Sequence, residues 1–170
     1  MTTTPQLCSL CRQPEQDHDD AACSFGWTPA LPPLRVWTAR ISWRGEGRLD
    51  ITRAGADTAK RKGTRFDGLP WAPSWRILRP ALDARSLAWT MRAADPAGAE
   101  RVEGHAWEVY EEAFKAEMRV SFLAHREAWA ELLAARERTL VCYCTDAAHC
   151  HRRLAAALLV KCGAVDMGER

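Results

Sequence analysis

Residues 139–163 read "TLVCYCTDAAHCHRRLAAALLVKCG". The period of the pattern changes partway along. "TLVCYC" (139–144) is a short apolar run of strand length, whereas "HRRLAAALLVKC" (151–162) sets Leu154, Leu158 and Cys162 on one helical stripe, with Gly163 as the stop. A strand that runs through a short loop into a helix is the repeating step of α/β proteins. Strand side chains alternate, so Leu140, Cys142 and Cys144 share one face while Val141 and Tyr143 share the other. The loop "TDAAH" then leads into a helix that begins near Cys150.

Working outward, "LRVWTARISW" (34–43) is rich in β-branched and aromatic residues and reads as a first strand. "RGEG" is a turn, and "RLDIT" (48–52) a short returning strand. Residues 53–68 read as a basic, glycine-containing loop. Pro73 and Ser74 open a helical pattern through Trp75, Leu78 and Leu82, with Pro80 at a kink or break. "AADPAGAE" (93–100) reads as another loop. From about Glu103 to Arg136, Trp107, Tyr110, Phe114, Met118, Phe122, His125, Trp129 and Leu132 recur every three or four residues, the signature of one long amphipathic helix. The order strand, helix, helix, strand, helix predicts a compact α/β fold. Its layered sheet would carry flanking helices in a Rossmann-like arrangement, with a small Cys-rich N-terminal segment added.

The chain has 170 residues, enough for one domain with an appendage. Residues 1–27 form the polar, cysteine-bearing extension, the proline-rich 28–33 a stiff linker, and 34–170 the α/β domain. With 24 basic and 22 acidic residues the net charge is +2, so charge alone does not announce a nucleic-acid binder. No apolar run reaches the roughly 18 residues of a membrane span. The N-terminus "MTTTPQLCSLC" lacks the basic and apolar regions of a signal peptide, so a cytoplasmic location with reduced thiols is expected. The seven cysteines are odd in number and fall into two clusters, which does not suit a disulfide framework.

The C-terminal cluster admits three readings. The first amides of a helix and its dipole favour an anion, and Arg152 offers a fork that matches phosphate or carboxylate. Beside Arg and His, a thiol at this position ionises more easily, so Cys142 or Cys150 would be the reactive thiol and His151 its acid/base. The second reading makes Cys142, Cys144, Cys150 and His151 a soft metal set, although C-x-C on a flat strand is not the usual zinc knuckle. The third makes Cys142 a core residue of a central strand. At the other end, Cys8, Cys11, His18 and Cys23 are spaced C-x2-C-x6-H-x4-C, which is similar to a zinc knuckle. A segment so short and polar builds no core of its own, so zinc would staple it.

The stretch from Leu140 to Leu159 resembles the C-terminal motif of the bacterial and archaeal domain-of-unknown-function 488 family. The motif is matched at Cys142, Asp146, Cys150, His151 and Arg152, while Cys144 departs from it. "ARISWRG" is similar to the family's first strand and loop at Arg40, Arg44 and Gly45, and "APSWRILR" to a further segment at Pro73, Ser74, Leu78 and Arg79. The resemblance covers roughly residues 35–170. It implies a compact α/β fold with a site at the ends of the first and last strands. There Arg40, Arg44, Ser74, Arg79 and Asp146 would join Arg152 around a phosphate-bearing small molecule or nucleic acid. It does not imply a reaction. Stoichiometric metal analysis of the purified chain is expected to find zinc at the N-terminal cysteines, and a zinc-free protein would overturn that assignment.

Overall fold

The computed structural model describes residues 32–146 and 148–170. The N-terminal set Cys8, Cys11, His18 and Cys23, and most of the 28–33 linker, lie outside the described residues. Strand β1 (Arg35–Arg40) pairs in parallel with β3 (Glu137–Cys142), in a register from Arg35 opposite Glu137 to Arg40 opposite Cys142. β4 (Val165–Glu169) lies parallel on the other side of β1, and β2 (Arg48–Asp50) lies parallel on the outside of β3. The sheet is therefore all parallel, in the order β2-β3-β1-β4. Parallel sheets are covered by their crossover helices, so their strands are continuously apolar. Val36, Ala39, Leu140 and Val141 are accordingly 0% exposed.

The helices cover this sheet in a Rossmann-like layer, as the strand–loop–helix step predicts. α1 spans Arg53–Lys62, α2 Trp75–Met91, α3 Pro96–Ala124, α4 Arg126–Leu133 and α5 His151–Lys161. α5 packs on β1, β3, β4 and α3, and α3 also packs on α2, α4 and the 3-10 turn Leu69–Trp71. The core runs through Phe114, Met118, Phe122, Trp129, Leu140 and Leu159.

Several local expectations are corrected. β2 does not return alongside β1. Ile41 N donates to the Cys142 carbonyl and Thr139 N to the Gly47 carbonyl, so the link straddles β3 and delivers β2 to its far side. The basic "loop" 53–68 contains α1. Thr52 caps it by accepting from Gly55 N at 3.0 Å, and Gly63 ends it at φ 64 in the left-handed region. Its buried face is only Ala56 and Ala59, too small a stripe to register as periodicity. Lys60, Arg61 and Lys62 occupy its last turn, where they favour the dipole.

The second "loop" is the start of α3. Asp95 accepts from Gly98 N at 2.8 Å, and Pro96 takes the first helical position. The long helical pattern divides at His125, whose φ of −127° and ψ of 40° end α3 and start α4. The break lets Phe122 and Trp129 meet at 5.5 Å, with Trp71 5.4 Å from Trp129 on another side. α2, by contrast, continues through Pro80. β4 has no apolar alternation and was not legible in the sequence. Among the described residues no helix is long and apolar enough to cross a membrane. Trp129→Ala should cost about 3–5 kcal/mol in urea denaturation, because its ring is fully buried at the α3–α4 junction.

Candidate metal centre

β3 ends at Cys142, and the backbone bends at the exposed Tyr143. The bend releases Cys144 from the strand, so "CYC" is not the flat C-x-C that made a knuckle implausible. Cys150 is the N-cap of α5, and His151 and Arg152 are its first residues. The parallel pairing of β1 and β3 thus brings the end of β3 and the start of α5 to the carboxyl edge of the sheet, where α/β folds place their sites.

One donor atom from each of Cys142, Cys144, Cys150 and His151 lies within 4.8 Å of all the others. Cys142 Sγ is 3.7 Å from Cys144 Sγ and 3.6 Å from His151 Nδ1. A tetrahedron with Zn–S about 2.3 Å and Zn–N about 2.05 Å has S–S edges of about 3.8 Å and S–N edges of about 3.6 Å. The two distances match the edges of such a tetrahedron, so the cluster is able to coordinate a metal ion. The imidazole is also turned the right way. His151 Nε2 lies 3.1 Å from the Ile51 carbonyl, which can only accept, so Nε2 carries the proton. The Nδ1 lone pair then faces the sulfurs, the arrangement in which a backbone carbonyl orients a ligating histidine. Burial holds His151 below its usual pKa, which keeps the ring neutral.

Without metal the thiols share protons. Hydrogen bonds from Cys142, and then from Cys150, hold Cys144 far down, at about 2. Cys142 is pushed up by its bonds to Cys144 and Cys150 and by burial. Cys150 is favoured as a thiolate by its bond to Cys142. Its bond to Cys144 and its burial outweigh this and push it up to about 12. The sequence pointed to Cys150 as the more easily ionised thiol because it opens a helix beside Arg and His. In the structure Cys142 and Cys150 both interact with Cys144, which lowers the Cys144 thiol and raises the other two.

Arg152 is 0% exposed and has its own partners. Its Nη2 is 2.8 Å from Glu169 Oε1 and its Nε is 3.3 Å from Oε2. Its Nη1 donates to the Cys144 carbonyl at 2.8 Å and reaches Cys150 Sγ at 3.3 Å. The fork expected to take a phosphate therefore braces the cluster from behind. Asp146 accepts from Ala148 N at 2.8 Å and pairs with His149 Nδ1 at 2.8 Å, which shapes the loop.

Of the four residues expected as neighbours, Arg44, Ser74 and Arg79 have other engagements. Arg40 stands opposite Cys142 in register with an exposed side chain. Arg44 donates to the Ile41 carbonyl at 2.7 Å, Ser74 binds the Glu117 carboxylate, and Arg79 lies over Trp75 at 5.3 Å. Among the described residues, no hydrogen bond or ion pair joins these four to the cluster. Sequence reasoning missed Glu169, the Ile51 carbonyl and Tyr110. Tyr110 is buried beside the thiols, and its hydroxyl has no hydrogen-bond partner among the described residues. Nothing in their local pattern marks them, because they come from β4, the end of β2 and the middle of α3.

The family model DUF488-N3a, described as the active DUF488-N3 subclade, matches residues 71–163, more than half of the 170-residue chain. No curated protein and no solved structure matches the chain significantly. Glu169→Ala leaves the buried Arg152 guanidinium without its anion. It should destabilise the fold by about 3 kcal/mol or more, read by urea unfolding.

Proposed function

This chain belongs to the DUF488-N3a family, and we propose that it is a metal-stapled binding module whose zinc is held by Cys142, Cys144, Cys150 and His151. The observation that carries the proposal is the gathering of four donors within 4.8 Å of one another, with His151 Nδ1 turned inward by the Ile51 carbonyl. Thiolates with one imidazole are the donor set of zinc. Zinc there would tie the end of β3, the following loop and the first turn of α5 into one rigid edge. The sequence assigned Cys142, Cys150 and His151 to a reaction on an anion; the proposal makes them metal ligands instead. In this reading residues 34–170 are the metal-bearing domain, and Cys8, Cys11, His18 and Cys23 hold a second zinc in the 1–27 extension.

A phosphate-bearing partner, nucleic acid in particular, is supported by a different feature from the one first expected. Arg152 is engaged by Glu169, but Lys60, Arg61 and Lys62 end α1 as an exposed basic turn followed by Arg65. Such a turn suits a phosphate backbone, and its binding would weaken steeply with salt.

Metal analysis decides the main reading. A chain carrying Cys8→Ser and Cys11→Ser should retain one zinc, and adding Cys142→Ser or Cys150→Ser should remove it. Zinc retained in the triply substituted chain would overturn the assignment. Loading must also expel the protons that Cys142 and Cys150 hold through their raised pKa values. Zinc affinity should therefore rise with pH, by up to about two log units per pH unit around neutrality, measured by competition with a chromophoric chelator.

A further inference from the structure

The four donors are not equally enclosed. Cys142, Cys150 and His151 are buried, whereas Cys144 is half-buried; Cys144 and His151 both line a cleft between α2, α3 and the loop. The three buried donors are also fixed by secondary structure. Cys142 is the last β3 residue in register with β1, Cys150 caps α5, and His151 is anchored through Nε2. Cys144 follows a bend, with its backbone carbonyl held by Arg152 and its sulfur held only by the other thiols of the cluster among the described residues. Its side chain can turn away without disturbing a strand or a helix.

The cleft is built for a ligand with an apolar body. Leu78 and Leu82 of α2 form one wall, and Trp107 of α3, stacked on Tyr110 at 5.5 Å, forms the other. Tyr110 is 4% exposed and lines the same cleft, and its hydroxyl has no hydrogen-bond partner among the described residues. A buried hydroxyl left without a hydrogen bond is costly, so it marks a place where a polar ligand atom belongs. Arg85 lines the cleft too. Its Nε lies 3.9 Å from the Glu103 carboxylate, so a cation stands in the cleft's lining.

Resting on the metal reading above, we propose that Cys142, Cys150 and His151 hold the metal permanently, while Cys144 gives up its coordination position to a small weak acid with an apolar ring that enters through the cleft. The exchange balances without an oxidant or reductant. The neutral acid head approaches the metal, its oxygen or sulfur forms the new metal bond, and its proton passes to the Cys144 sulfur as the metal–sulfur bond breaks. The ring lies against Trp107, and the Tyr110 hydroxyl donates to the bound head. A metal with three fixed protein ligands and one exchangeable position is the open type of site, not the closed structural type.

The test uses the full chain with Cys8→Ser and Cys11→Ser, loaded with Co2+, and benzohydroxamic acid as the probe. Thiolate-to-cobalt absorbance follows the number of bound thiolates, so saturating probe should lower it by about one third while cobalt stays on the chain. Cys144→Ser should keep its cobalt and start at the lowered absorbance. Tyr110→Phe should weaken the probe about tenfold, the loss of one buried hydrogen bond. An unchanged spectrum with probe, cobalt stripped by the probe, or loss of cobalt from a folded Cys144→Ser chain would overturn the proposal. If Cys144→Ser fails to fold, the titration of the parent chain decides. Failure of the parent to take up cobalt at all would instead overturn the metal reading beneath it.

Discussion

A single buried guanidinium organises this end of the molecule. Arg152 is shut away from water, and a charge in that position must be fully engaged or it destabilises the fold. It binds the Glu169 carboxylate of β4, the Cys144 carbonyl of the loop and the Cys150 sulfur at the head of α5. Thr38 of β1 also donates to Glu169. The last strand, a central strand, the loop and the final helix therefore meet at one ion pair. The positions of Cys144 and Cys150 follow from it: the loop cannot lift away, and α5 cannot rotate, without stranding the charge.

That constraint explains why a metal cage suits the site better than an anion pocket. A helix N-terminus with an arginine offers two means of holding phosphate, yet here the arginine already has its anion inside the protein. What is left at the helix start is three sulfurs and an imidazole whose protonation is fixed by a backbone carbonyl. Among these donors Cys144 is the least buried. Structural rigidity and chemical accessibility are thus divided within one cluster. The three buried donors belong to elements the fold cannot move, and the fourth belongs to a loop beside an aromatic-walled cleft.

Much of the architecture was legible because it rests on local patterns. The strand–loop–helix step at residues 139–163, the first strand at 34–43 and the apolar stripe from Trp107 to Trp129 each reflect side-chain periodicity, and each is present. The misreadings share a cause. α1 buries only alanines, the start of α3 contains proline and glycine, and the division at His125 leaves the spacing of aromatics intact. In these three places a cap or a break, not periodicity, sets the element. β2 and β4 are strands through their partners: three and five residues with little apolar character become ordered by pairing with β3 and β1.

The sequence by itself determined that Cys142 and Cys150 would lie at a strand end and a helix start, and that His151 and Arg152 would follow in the first turn. Those are consequences of spacing along a continuous chain. Only the tertiary structure decided that the four donors stand within 4.8 Å of one another, that Ile51 orients His151 from a hundred residues away, and that Glu169 claims Arg152. Cage or anion site is a question of which groups satisfy one another's charges and hydrogen bonds. That depends on packing between distant segments, on which local pattern has no bearing.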